Sequence, residues 1–105
     1  METYLQRAWS DWIGNITMDD VRLAIQETIA MDEEHGAFWV GGGDDGQYVL
    51  EASQDLMVVA YFGDDTELRK KFKDWHEIEN VYQAFLEEKF DEVKAIMKDI
   101  HVTNA

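Results

Sequence analysis

Apolar residues first recur at helical spacing after position 17. Met18, Val21, Ile25 and Ile29 fall on one side of such a repeat and predict a helix that buries this stripe. Thr17 is placed to cap its first turn. Asp20 three residues on and Asp19 beside it suit the positive end of the helix dipole. Gly36 is the expected stop. Before this helix, residues 4–9 read as a short strand or extended lead-in, and residues 10–15, with Trp12 and Gly14, as a loop.

Three strand-like runs follow, at residues 37–40, 47–52 and 56–62. The glycine- and aspartate-rich segment 41–46 and the triplet Ser53-Gln54-Asp55 join them. Connections this short favour an antiparallel meander. The third run is apolar on both sides: Leu56, Val58, Ala60 and Phe62 alternate with Met57, Val59 and Tyr61. A strand that faced water on one side would alternate apolar with polar. Either this sheet is covered twice, or its second face is an interaction surface. Residues 67–73 fit both a helix start and an edge strand, and the basic cluster Arg69, Lys70, Lys71 and Lys73 suits an exposed edge. Asp74 and Glu77 form a capping pair for a second helix with the stripe Ile78, Val81, Tyr82, Phe85 and Leu86. A third helix from about Asp91 carries Val93, Ile96, Met97 and Ile100. The expected fold is α+β, one domain over residues 1–105: an antiparallel meander with an N-terminal helix and two C-terminal helices packed on it.

Composition supports a packed core. Of 105 residues, 46% are apolar, and four Trp, four Tyr and five Phe supply bulk. Cysteine is absent, which excludes disulfides and thiolate metal sites. The chain opens without a basic stretch leading into an apolar run, and no run is long enough to span a bilayer, so the expected location is cytoplasmic.

Charge changes the picture most. The net charge is −14, and it is uneven: residues 1–68 hold fifteen acids and two bases (−13), residues 69–105 eight acids and seven bases (−1). Such a field repels nucleic acid and anionic membranes and speeds encounter with basic partners. Solubility alone accounts for mild acidity, and at this density the two explanations weigh about equally. The candidate partner-binding residues are the acids of the helix exit and the turns: Asp32, Glu33, Glu34, Asp44, Asp45, Asp64 and Asp65. They are expected to form one contiguous negative surface.

The chemistry of catalysis is sparse. His35, His76 and His101 stand at no metal-ligand spacing, and Ser10 and Ser53 sit in no nucleophile-elbow sequence. Gly41-Gly42-Gly43 lacks the Lys-Ser/Thr of a phosphate loop, and its neighbours Asp44 and Asp45 would repel phosphate. Neither Asp44-Asp45-Gly46 nor Asp64-Asp65 has calcium-loop spacing, and turn chemistry explains both better. No cofactor or metal is implied, and no enzyme activity is expected. Trp39, between Phe38 and Val40, is expected to bring a core-facing ring or neighbour. Trp9 and Trp12 bracket a polar loop and are read first as its anchors, second as partner-facing aromatics.

Three stretches carry a resemblance. They are the helix 18–31 running through Asp32-Glu33-Glu34-His35-Gly36 into 37–41, the paired runs 48–51 and 56–62, and the segment Val81-Tyr82-Gln83-Ala84-Phe85-Leu86-Glu87-Glu88-Lys89-Phe90-Asp91. In this order of elements the chain is similar to small bacterial immunity proteins encoded beside polymorphic or contact-dependent toxins. The resemblance implies a cytoplasmic inhibitor that binds a toxin domain, often a nuclease or deaminase. It transfers no binding residue. A nuclease needs a basic groove for phosphate, and carboxylates can fill it. Two alternatives stay open: another acidic inhibitor, such as a DNA-mimicking anti-restriction or phage-encoded protein, and a small enzyme with an unrecognised site. Oligomeric state cannot be read from these residues.

Overall fold

Strands form where β-branched and aromatic residues alternate their faces, and here the alternation builds one sheet. The computed structural model describes residues 2–8, 12–31, 36–42, 47–63 and 67–98. In chain order the elements are β1 (Tyr4–Arg7), β2 (Ile13–Gly14), α1 (Met18–Ala30), β3 (Ala37–Gly42), β4 (Tyr48–Ser53), β5 (Met57–Tyr61), β6 (Glu67–Lys71), α2 (Trp75–Leu86) and α3 (Phe90–Met97). The sheet has the order β2-β1-β3-β4-β5-β6, and every pairing is antiparallel. The fold is therefore α+β as the sequence predicts.

One face of the sheet carries the core. Leu5, Val40, Leu50 and Ala60 lie in one cross-strand row, and Phe38, Ala52 and Val58 in the next, all fully buried. The three helices pack on this face. Tyr82 of α2 stacks on Phe38 at 5.2 Å between centroids, and its hydroxyl donates to the Leu50 carbonyl at 3.3 Å. Phe90 at the start of α3 stacks on Tyr48 at 4.3 Å. Arg7, the one cation in these two inward rows of β1 and β3, pairs with Glu27 of α1. A charge facing a core needs such a partner.

The capping chemistry is largely as predicted. The Thr17 amide donates to Asp20 at 2.8 Å, and the Glu77 amide to Asp74 at 2.9 Å. Glu77 itself reaches back to the amide of Lys73, one residue before the cap, at 3.1 Å. The basic segment resolves as the edge strand β6.

Several local expectations are corrected. Residues 10–15 are not all loop: Ile13 pairs with Leu5 and Gly14 with Tyr4, adding an edge strand. Gly41 and Gly42 continue β3 instead of opening a loop. Helix α1 ends at Ala30, ahead of Gly36, because the Gln54 side-chain amide lies within reach of the carbonyls of Thr28, Ile29 and Met31. A helix end needs acceptors' partners, and a side chain from the β4–β5 turn supplies them. The buried stripe of α1 is Val21, Ala24, Ile25 and Thr28, whereas Ile29 is 51% exposed. Leu56 is not in the third strand: it adopts φ 71°, closes the turn, and leaves β5 to start at Met57. β5 lies between β4 and β6, interior to the sheet.

Candidate functional site

The other face of the sheet has no helix over it among the described residues. Alternation along the strands assigns its rows. One row runs Gly14, Tyr4, Gly41, Val49, Tyr61, Glu67, and the next Gln6, Trp39, Glu51, Val59, Arg69. Ala37 with Ser53, and Met57 with Lys71, extend it. Most of these side chains are partly exposed, in contrast to the fully buried rows behind them. This resolves the two-sided apolarity of the third strand: one side is core, the other an open face.

Local sequence shapes this face. Gly41 leaves room for the Tyr4 ring, which lies where a Cβ at this position would fall. Trp12, reached through the β1–β2 connection, meets Tyr4 edge-on at 6.5 Å and remains 64% exposed. It is thus both anchored on Tyr4 and outward-facing. Trp39 lies on this face, and its neighbours Phe38 and Val40 supply the core. Shallow depressions cross the surface. One of about 320 Å³ is lined by Tyr4, Gln6 and Trp12, and one of about 240 Å³ by Tyr4, Gln6, Trp39 and Val49. A third, of about 780 Å³, is lined among the described residues by Trp39, Glu51, Ser53, Gln54 and Asp55, with Ala8, Gly36 and Ala37.

Glu51 is the charge at the centre of this surface. It stands across from Trp39 on one side and Val59 on the other. Tyr61 donates to it over a long 3.5 Å. Desolvation, then the Glu51 and Glu67 carboxylates, push the Tyr61 phenol above its ordinary range. Arg69, beyond Val59, is held by Glu67 at 2.7 Å. Among the described residues Glu51 has no ion pair.

The sequence-predicted contacts Asp32, Glu33, Glu34, Asp44, Asp45, Asp64 and Asp65 lie outside the described residues, as do Trp9, His35 and His101. The described residues flanking them fall at two ends of the sheet. Gly42 and Gln47, and likewise Gly63 and Glu67, stand at the end where β3 and β5 finish. Gly36 stands at the other, where β3 begins and β4 turns into β5. The first turns of α1 and α3, with Asp19, Asp20, Asp91 and Glu92, reach the former end, since Ile16 is tied to Thr3 and Phe90 to Tyr48. His76 is exposed in the first turn of α2, on the helical side of the sheet, away from Ser53 on the open face.

The open face was only half legible in the sequence. Glu51 between buried Leu50 and Ala52 is the signal that fixes which side of β4 faces out, and Trp39 follows from it by register. No helix of the described residues is long and apolar enough to cross a membrane. Compared with protein-family models, curated proteins and solved structures, the chain finds no match.

Proposed function

We propose that this chain is a binding protein of the immunity type, which holds a basic bacterial toxin domain on the open face of its sheet and performs no turnover itself. The observation that carries the reading is that face: Tyr4, Trp12, Trp39, Val49 and Tyr61 form a partly exposed aromatic and aliphatic surface on a rigid sheet. Rigid aromatic side chains around a shallow depression are the usual anchors of a protein interface. The net charge of −14 adds attraction for a basic partner and raises its rate of encounter. A DNA mimic is less well supported, because it would present carboxylates in phosphate-like rows, whereas this surface sets one central carboxylate among aromatic rings.

Co-expression tests the proposal. With the toxin encoded beside its gene, the wild-type chain is expected to restore growth and to co-purify with the toxin. Trp39→Ala is expected to lose both while keeping the wild-type melting transition. Failure of the wild-type chain to protect, or to form a complex, would overturn the immunity reading.

A further inference from the structure

The open face singles out one place where a bound protein must supply a specific group. Any partner that covers Trp39 and Tyr61 also takes Glu51 out of water. A carboxylate buried without a seated counter-charge is strongly unfavourable; the nearest described cation, Arg69, stands beyond Val59 in the same row, feels Glu51 only through space and is ion-paired with Glu67. The partner therefore has to bring the cation. The walls of the depression say which cation. Trp39 stands directly across from Glu51, so an indole lies beside the carboxylate at the roughly 5 Å spacing of cross-strand Cβ atoms. Asp55, Ser53 and Gln54 line the same depression. Gln54 has its NH2 committed to the carbonyls at the end of α1, so the acceptors here are Glu51, Ser53 and Asp55. Asp55 takes the Met57 amide on one oxygen, Oδ1, at 3.2 Å. The site thus offers acceptors from several directions and one flat aromatic wall. A planar fork of five donors that also stacks on an indole fits this better than the compact ammonium of lysine.

Building on the immunity reading, we propose that the depression between Trp39 and Asp55 receives one arginine side chain of the bound protein. Glu51 is its paired carboxylate and Trp39 its stacking wall. The arginine enters over Ala37 and Ser53, which keep that part of the face low. Asp19, Asp20, Asp91 and Glu92 at one end of the sheet bring the partner near, and this depression fixes its register.

The test needs no toxin. Acetyl-arginine methylamide is titrated into the isotope-labelled chain, with its neutral isostere acetyl-citrulline methylamide as control, and amide and indole resonances are followed. Saturable shifts are expected at the Trp39 indole and the amides of Gly36, Ala37, Ser53 and Asp55, with citrulline weaker by about tenfold or more. Glu51→Gln should weaken arginine binding to the same extent. Glu88→Gln, which removes an exposed charge elsewhere, should leave it unchanged. Equal binding of citrulline, equal loss in Glu88→Gln, or shifts spread over the acidic ends would overturn the proposal in favour of general charge attraction. The citrulline comparison is made on the wild-type chain and stands even if Glu51→Gln fails to fold. Arginine binding by a chain that protects against no neighbouring toxin would overturn the immunity reading and leave the depression in place. Protection that survives Glu51→Gln would overturn the arginine site instead.

Discussion

Val58 and Val49 sit on opposite faces of neighbouring strands, and truncating each to alanine measures how differently the two faces are covered. Val58 is fully buried between the sheet and its helices. Val49 lines a shallow depression on the open face and is partly exposed. Both changes remove the same two methyl groups and the same strand preference, so the difference between them reports burial. For Val58 the lost transfer energy is about 1.6 kcal/mol, at roughly 0.8 per carbon. A residual cavity of a few tens of Å³ adds about 0.5–1 kcal/mol at ~24 cal/mol per Å³. The sum, about 2–2.5 kcal/mol, is a large part of a small domain's stability. For Val49 the water-exposed side loses little and leaves no cavity, so about 0.5–1 kcal/mol is expected. Urea unfolding of both variants gives the comparison through the shift in midpoint at constant slope. Equal losses at the two positions would refute a one-sided sheet, and no loss at Val58 would refute the strand assignment.

Three further outcomes follow from single contacts. Tyr82 is fully buried, and its pKa lies well above the ordinary 10.0, chiefly through desolvation and then through Glu51. Above pH 10 the unfolded chain releases this proton while the folded chain retains it, so stability falls as pH rises. Tyr82→Phe should flatten that alkaline loss in a pH series of thermal melts, at a cost of about 1 kcal/mol near neutrality from the missing hydrogen bond. Gln54→Ala should free the terminal carbonyls of α1, lower stability by about 1–2 kcal/mol, and speed hydrogen exchange in the last turn of that helix before any other. Asp74→Ala removes the acceptor for the Glu77 amide and should cost about 1 kcal/mol, rescued largely by Asp74→Ser.

The parts of the fold that were legible are those where one local rule decided. Asp74, Thr17 and Asp20 announced helix starts because a cap needs only a side chain and the next turn. Of the stripe Ile78, Val81, Tyr82, Phe85 and Leu86, the first four are buried and Leu86 is half-buried against the core. Errors arose where a distant residue intervened. Nothing near Ala30 predicts the end of α1, because the capping amide comes from Gln54 in the β4–β5 turn. Leu56 carries a strand signal because it is apolar, although its backbone makes the turn and its side chain packs against the core from there. Ile13 and Gly14 carry no strand signal of their own. They become a strand because β1 offers them a free edge. The open face was hidden for a related reason. Its aromatic residues come from β1, β3 and β5, and only register brings Tyr4, Trp39 and Tyr61 onto one surface. The charge pattern points to the turns instead, and those seven acids lie outside the described residues.

The proposed function puts the partner on the open face of the sheet. Among the described residues, α1 also exposes large apolar side chains, Leu23 at 50% and Ile29 at 51%. Calorimetric titration of the neighbouring toxin into Trp39→Ala and Leu23→Ala, beside the wild-type chain, separates the two directly. Trp39→Ala should weaken the complex by about 30-fold or more, as expected for the loss of a central aromatic anchor, and Leu23→Ala by less than about threefold. The reverse order, with Trp39→Ala binding as the wild type does, would contradict the account.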